Sequence, residues 1–280
     1  MMVLLSLKNE HWRELVEEHR AWLSKFAAPY GSKWEKSFRA DRQSAMNEAS
    51  VRRLLQSQRI FVEPYEGLTN ERRSPDFRCV AASGHFYVEA ACVLESTATR
   101  RTKIDQRESG FRPFDTRGMN KKIVSICNKK ARQCANLDAP ALVAIGTFHF
   151  SAGVITLEKP LLNSLLVPTK IGWTIDPRTG CQVGDSYLTT DLEGTPFDQR
   201  ISAGHVNAIR KPISGLLLCN VSTSPIQCRG ILNPNAVRAF DPTMLPRIEF
   251  GSREFDGRSK AFRIAWRSAD GSVDQSRPRQ

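Results

Sequence analysis

The spacing of apolar residues predicts helices at the start of the chain. Apolar side chains recur at helical intervals from residue 8 to residue 38, and the turn-forming residues 29 to 32 interrupt them. A second amphipathic stretch runs from Asp41 to Ser57, where Asp41 is a candidate N-cap and Val51 and Leu55 lie on the apolar face. These patterns predict an N-terminal helical cap, followed by a helix that packs on the core.

Short apolar runs then predict three strands. The first covers residues 59 to 65, and Pro64 places its end near a sheet edge. The next two cover residues 76 to 81 and 85 to 93, joined by the turn Ser83-Gly84, which is the pattern of a β-hairpin. One helix and three strands are therefore expected in succession.

Two acidic residues occupy unusual positions in this hairpin. Asp76 opens its first strand, and Glu89 interrupts the apolar run of its second strand. A carboxylate in a strand that is buried on both faces is costly to desolvate unless it meets a cation, a hydrogen-bond donor or a metal ion. The two acids are therefore candidates for a functional site.

An apolar stripe predicts a helix from Lys121 to Leu137. At about 100° per residue, Lys130 falls within the stripe, whereas Lys129 and Gln133 fall at its edge. Two interpretations of Lys130 stay open, because its ammonium either reaches solvent along the apolar surface or points towards the sheet. The almost wholly apolar residues 141 to 148 predict a buried parallel strand after this crossover helix.

The residues Pro75-Asp76, followed after the hairpin by Glu89-Ala90-Ala91, resemble the core of the PD-(D/E)xK nuclease superfamily, which has the restriction-endonuclease-like fold. The order of helix, three strands, helix and strand over residues 41 to 148 is similar to the core of that family. The resemblance implies an α/β fold with a central mixed β-sheet flanked by helices and an αβββαβ core. The chain departs from the family pattern at Ala91, where the family usually has lysine.

The resemblance also implies a metal site. Mg²⁺, or Mn²⁺ as an alternative, would be bound by Asp76, Glu89 and the backbone carbonyl of Ala90, since carboxylate and carbonyl oxygens suit hard cations. Glu48, on the helix before the first strand, matches a family position that often reaches the metal. An ordinary exposed helical glutamate is the alternative for Glu48.

The catalytic set implied by the resemblance contains the two acids and a relocated ammonium. Lys130, or else Lys129, would replace the lysine missing at Ala91, and Gln133 lies beside them on the predicted helix. The implied activity is Mg²⁺-dependent hydrolysis of phosphodiester bonds in DNA. The alternative is a catalytically inactive nuclease-fold module that binds nucleic acid or a partner protein.

The charge of the chain favours an anionic partner. Its net charge is +12 and its pI is about 9.6, and nucleic acid is the commonest partner of such proteins, although a generally basic composition is the alternative. Residues 95 to 120 are polar and basic, and their glycines and Pro113 predict an irregular loop at the mouth of the site. A solvated insertion is the alternative for this loop. The candidate phosphate contacts are Arg100, Arg101, Lys103, Arg112 and Arg117.

The second half of the chain is less clearly patterned. The patterns predict a short helix over residues 157 to 167 and loops and turns over residues 170 to 200. They also predict a strand that extends the sheet over residues 213 to 221 and a terminal hairpin over residues 248 to 266. The expected organisation is a cap (1–40), a nuclease-like core (41–150), a C-terminal α+β extension (151–268) and a disordered tail (269–280).

Cysteine usage and hydropathy indicate the compartment. The seven cysteines include no C-x-x-C pair and mostly fall in apolar runs, which predicts reduced core residues in a cytoplasmic protein. No apolar run reaches the roughly 18 residues of a membrane helix, so no membrane association is expected. A homodimer is compatible with the sequence.

Overall fold

The computed structural model describes residues 10–65, 74–104, 116–190, 192–202, 205–257, 261–267 and 273–274. The helices are α1 (Glu10–Leu23), α2 (Ala28–Ala40), α3 (Arg42–Ser57), α4 (Glu95–Thr102), α5 (Thr116–Lys130), α6 (Phe150–Thr156) and α7 (Lys159–Leu166). The first strands are β1 (Phe61–Pro64), β2 (Phe77–Ala81), β3 (Gly84–Val93), β4 (Ala141–Thr147), β5 (Thr169–Ile175) and β6 (Gln182–Thr190). The remaining strands are β7 (Asp198–Ser202), β8 (His205–Ala208), β9 (Gly215–Asn220), β10 (Gln227–Leu232), β11 (Glu249–Asp256), β12 (Ala261–Arg267) and β13 (Val273–Asp274).

A nine-stranded mixed sheet with the order β1-β2-β3-β4-β9-β10-β11-β12-β13 forms the centre of the described part of the chain. Strands β1, β2 and β3 are antiparallel neighbours, whereas β4 is parallel to both β3 and β9. Every residue of β4 is buried, as expected for a parallel strand covered on both faces. The predicted α/β architecture, with a central mixed sheet flanked by helices, is confirmed.

Side-chain alternation along β3 separates two apolar cores, one on each face of the sheet. Phe86 and Val88 pack with helices α1, α2 and α3 on one face. Tyr87 and Val93 pack with helices α4 to α7 on the other face. Because successive residues of a strand point to opposite faces, Glu89 lies on the same face as Tyr87, where α5 crosses the sheet.

The N-terminal helices divide differently from the prediction. Pro29 and Gly31 do not interrupt a helix but lie within the first turn of α2, where the missing N–H of proline has no intrahelical acceptor to lose. The N-cap of α3 is confirmed, because the N–H of Ser44 donates to Asp41 Oδ1 at 3.1 Å. This cap fixes the start of the helix that covers the first core.

The described parts of the basic segment, residues 95 to 104 and 116 to 120, are more regular than predicted. Helix α4 follows β3 almost directly, and α5 begins at Thr116, continues through Gly118 and ends at Lys130 rather than Leu137. A Cβ atom at Gly118 would collide with the backbone oxygen of Arg101, so this glycine permits a close approach of the two helices. Residues 105 to 115, which include Arg112, lie outside the described residues.

The prediction of loops and turns over residues 170 to 200 is wrong. Strands β5 and β6 form an antiparallel hairpin there, and β7 pairs with β8 in a second one. Gly180 and Gly184 have φ angles of +68° and +75°, a backbone conformation that glycine adopts readily, and so belong to this hairpin rather than to an irregular loop. Helix α6 was also not predicted, because its seven residues are too few to show a clear helical period.

The later strands follow the prediction more closely. Strand β9 extends the sheet beside β4, and β11 and β12 form the expected antiparallel hairpin. All seven cysteines lie in the described ranges, and all of them are free thiols. Within those ranges, no helix combines the length and the apolar composition needed to cross a membrane.

Candidate active site

The hairpin of β2 and β3 brings the two candidate acids together. Phe77 pairs with Val88 in the antiparallel register, so Asp76, one residue earlier, comes opposite Glu89. The N–H of Ala90 donates a hydrogen bond of 2.7 Å to Asp76 Oδ2. The backbone of β3 therefore holds the Asp76 carboxylate beside the residue that carries the second acid.

Lys130 supplies a positive charge to this pair. Its ammonium donates a hydrogen bond to Glu89 Oε1 and forms an ion pair with it. The side chain of Glu89 is only 1% exposed, whereas that of Lys130 is 26% exposed and so links the buried acid to solvent. The predicted contact of Lys130 with Glu89 is confirmed, and the neighbouring Lys129 is exposed.

The charges of the site act together on a nearby thiol. Burial raises the pKa of Cys134, and the negative charges of Glu89 and Asp76 raise it further, whereas the ammonium of Lys130 acts in the opposite direction. The three charged groups therefore lie in one electrostatic neighbourhood. Cys134 stays protonated beside them and is not a nucleophile at neutral pH.

The two acids carry oxygen donors, the ligand type that hard divalent cations prefer. One oxygen of Asp76 is oriented by the Ala90 N–H, and the second oxygen and the Ala90 carbonyl are ligand types that Mg²⁺ and Mn²⁺ accept. Among the described residues, no three His, Cys, Asp or Glu side chains gather into a group able to hold a metal ion, so Glu48 does not complete such a group with Asp76 and Glu89. Metal binding by these residues stays a prediction.

Glu48 is half-buried on α3, which packs against the face of the sheet opposite to Glu89. The adjacent residue Asn47 donates its amide to the carbonyl of Ala91 at 3.0 Å, so α3 contacts the Glu89 strand through Asn47. Gln133 lies in the turn after α5, and its backbone N–H donates to the Lys130 carbonyl at 2.9 Å. It is half-buried in this turn rather than part of a helix, and its catalytic role stays a prediction.

A second polar cluster, which the sequence did not predict, lies on the same face of β3. The Tyr87 hydroxyl donates to Asp138 Oδ1 at 2.8 Å, and His85 Nε2 lies 3.5 Å from the same oxygen. Burial and then the Asp138 carboxylate raise the pKa of Tyr87, whereas donation by Tyr87 lowers the pKa of Asp138. The alternation of His85, Tyr87 and Glu89 could have predicted that these three side chains share one face of β3. The contacts of His85 and Tyr87 with Asp138 could not be predicted, because Asp138 comes from a turn distant in sequence.

Basic side chains line one side of α4 and α5. Arg100, Arg101 and Lys103 are exposed at the end of α4, and the close approach at Gly118 brings them beside the start of α5. The exposed residues of α5 and of the turn after it include Arg117, Lys121, Lys129 and Arg132. At about 100° per residue, Arg117, Lys121 and Lys129 lie within about 120° of one another around the helix axis, and the helix rises about 18 Å between Gly118 and Lys130.

Comparison of the chain with protein-family models, with curated proteins and with solved structures gives no match.

Proposed function

We propose that the chain is a metal-dependent nuclease with a restriction-endonuclease-like core that hydrolyses phosphodiester bonds of DNA. The observation that carries this proposal is the ion pair between Lys130 and Glu89, because it supplies an ammonium next to the two acids although Ala91 cannot. The succession α3, β1, β2, β3, α5, β4, with α4 inserted before α5, gives further support.

Asp76, Glu89 and the carbonyl of Ala90 are the residues that would bind Mg²⁺ or Mn²⁺, and this set does not require Glu48. The bound cation would lower the pKa of a coordinated water and offset the charge of the phosphate. The hydrogen bond from Ala90 N–H to Asp76 fixes one carboxylate before any ligand arrives. Such preorganisation limits the rearrangement needed when substrate binds.

Lys130 has the role of a preorganised cation at the reacting phosphate. Its contact with Glu89 holds the ammonium at the end of α5, and its partial exposure leaves it open to a ligand that approaches from solvent. An ammonium there would donate to a phosphate oxygen or orient the attacking water. Lys129, one residue earlier and exposed, is the matched control position.

The basic side of α4 and α5 supports DNA as the substrate. Neither helix α5 nor the turn from Ala131 to Leu137 contains an acidic residue, so positive charge continues along α5 to Lys130. Phosphate groups follow one another along a DNA strand and match a linear series of cations. The backbone would then be guided along α5 to the two acids.

An inactive nucleic-acid-binding module is the second candidate, and the burial of Glu89 favours it. With 1% of its side chain exposed and Lys130 bonded to one oxygen, this carboxylate has little access to a ligand that arrives from solvent. A buried acid paired with a lysine also serves as a structural contact. The two candidates predict the same binding but differ in turnover.

Cleavage of plasmid, linear and single-stranded DNA in Mg²⁺, Mn²⁺ or EDTA tests the proposal. We expect cleavage that depends on the metal, a loss of about 100-fold in rate for Lys130→Ala, and a clearly smaller loss for Lys129→Ala, which removes only one cation of the basic side of α5. Lys130→Arg should rescue only in part, because a planar guanidinium differs in shape from an ammonium. Thermal unfolding of each variant identifies any loss of fold, and intact cleavage by Asp76→Ala would disprove the assigned roles.

Binding is measured separately from cleavage, in EDTA. Changing Arg100, Arg101 and Lys103 together to alanine should reduce the slope of log affinity against log salt concentration by about one for each phosphate that these side chains neutralise. An unchanged slope would show that the end of α4 does not contact DNA phosphates. Salt-dependent binding without cleavage under any metal condition would favour the inactive module.

A further inference from the structure

Cys219 and Cys228 face each other across the strands β9 and β10. They are direct partners in the antiparallel register, and their Sγ atoms are 3.4 Å apart. The Cα atoms of directly opposed residues in antiparallel strands are about 4.5 to 5.5 Å apart, which lies within the range of about 4.4 to 6.8 Å found for disulfides. Rotation of the two side chains is therefore enough to close a bond, without a shift of either strand.

We propose that Cys219 and Cys228 form a reversible redox site, which closes to a disulfide on reaction with a low-molecular-weight disulfide such as oxidised glutathione. The site lies on the face of the sheet opposite to Glu89, in the core formed by α1, α2 and α3. It does not depend on the proposed nuclease activity.

Cys228 is the residue that reacts first, because it is half-buried whereas Cys219 is fully buried. The Cys228 thiolate attacks one sulfur of the external disulfide and releases one thiol. The Cys219 thiolate then attacks the Cys228 sulfur and releases the second thiol. Two protein S–H bonds and the external S–S bond are broken, and one protein S–S bond and two S–H bonds on the released thiols are formed. Two electrons pass from the protein to the external disulfide.

The environment makes the first step slow and the second fast. Burial raises the pKa of Cys228, and its hydrogen bond with Cys219 raises it further, so only a small fraction is thiolate at neutral pH. Once the mixed disulfide forms, the second sulfur is already beside it. The mixed disulfide should therefore be short-lived.

A third cysteine in the same row of the sheet serves as a control. The strand registers align Cys92, Gly146, Cys219 and Cys228 on β3, β4, β9 and β10. Two strand spacings of about 4.8 Å separate Cys92 from Cys219, which exceeds the limit of about 7 Å for a disulfide. Asn47 also occupies the space over Gly146, between the two thiols. Cys92 therefore cannot replace either member of the pair.

The sequence allows a direct readout of closure. Trypsin cleaves after Arg210 and Arg229 but not after Lys211, which precedes proline, so both cysteines fall in one peptide. The full-length chain is incubated with oxidised glutathione, quenched in acid, and alkylated with N-ethylmaleimide in denaturant. We expect this peptide to carry no alkyl group and to be two hydrogens lighter than the reduced peptide, and to gain two alkyl groups after dithiothreitol.

Two variants and one internal control decide the result. Cys92→Ser should leave closure unchanged, and Cys228→Ser should leave Cys219 open to alkylation. The exposed Cys181 reports that the oxidant has reacted, because it becomes glutathionylated. Alkylation of both thiols in the unchanged chain when Cys181 has reacted, or stable glutathione on Cys228, would overturn the proposal. If Cys228→Ser does not fold, the result for the unchanged chain tests the proposal by itself.

Discussion

His19 makes the fold sensitive to acid. It is 0% exposed between α1 and α2, with its ring centroid 5.2 Å from that of Trp22 and 4.8 Å from that of Trp34. Neither ring nitrogen has a hydrogen-bond partner among the described residues. Burial, and to a smaller extent the positive charge of Arg52, lower the pKa of His19 from 6.5 to about 3.

The sign of the effect follows from proton binding in the two states. Between pH 6.5 and about 3 the unfolded chain binds a proton at His19 and the folded chain does not, so the free energy of unfolding falls as the pH falls. One such group contributes about 1.4 kcal/mol for each pH unit. Lowering the pH from 6.5 to about 4.5 should therefore lower the free energy of unfolding by about 2 to 3 kcal/mol. The stabilisation that the neutral His19 ring contributes is fully present only above pH 6.5.

The variant His19→Phe removes the titrating group and retains an aromatic ring against the two tryptophans. Urea unfolding at about pH 7.5 and about pH 4.5 gives the acid-induced loss of unfolding free energy, which should be smaller by about 2 to 3 kcal/mol in the variant. His11→Phe, on the same helix, keeps His19 and should keep the full acid-induced loss. An equal loss in His19→Phe and in the unchanged chain would refute this account of the buried ring.

Other predictions concern packing and buried charge. Gly118→Ala should lower the free energy of unfolding by about 1 to 3 kcal/mol, because its Cβ meets the backbone of Arg101. Gly31→Ala, where the added Cβ meets open space, should raise the free energy of unfolding by about 0.5 to 1 kcal/mol. A loss of stability in both variants would contradict the explanation by a close contact at Gly118. Asp198→Asn should cost about 3 to 5 kcal/mol in urea unfolding, because it leaves the buried Arg253 guanidinium, 2.8 Å from Asp198 Oδ2, without its anion. A loss below about 1 kcal/mol would show that Arg253 does not need that charge.

The elements that could be predicted are those with an uninterrupted apolar pattern. The hairpin of β2 and β3, helix α3 and strand β4 follow from periodicity, because burial on a fixed face requires apolar residues at fixed intervals. Helical periodicity also predicted that Lys130 lies among the apolar, inward-facing residues of α5, and its ion pair with the buried Glu89 agrees with that orientation. The inward direction of one side chain was therefore accessible from sequence.

The rest depends on contacts between residues distant in sequence. The β5–β6 hairpin exposes apolar residues such as Ile171 and Val183, so the apolar positions described there do not follow the pattern of a buried face. The end of α5 was misplaced because apolar residues continue into the following turn, where Cys134 is buried without being helical. Likewise, the partnership of Tyr87 with Asp138 arises only when β3 lies beside the turn before β4.

The position of β4 has a consequence for how the chain is made. Its neighbour β9 is synthesised only after the hairpins β5–β6 and β7–β8, so a growing chain contains β4 before it contains the strand that covers that edge. The uncovered edge belongs to a strand that is apolar throughout, and such edges pair readily with other chains. Synthesis of residues 148 to 214 is therefore an interval of vulnerability to aggregation. Slow translation through the two hairpins would lengthen that interval, and arrival of Gly215–Asn220 would end it.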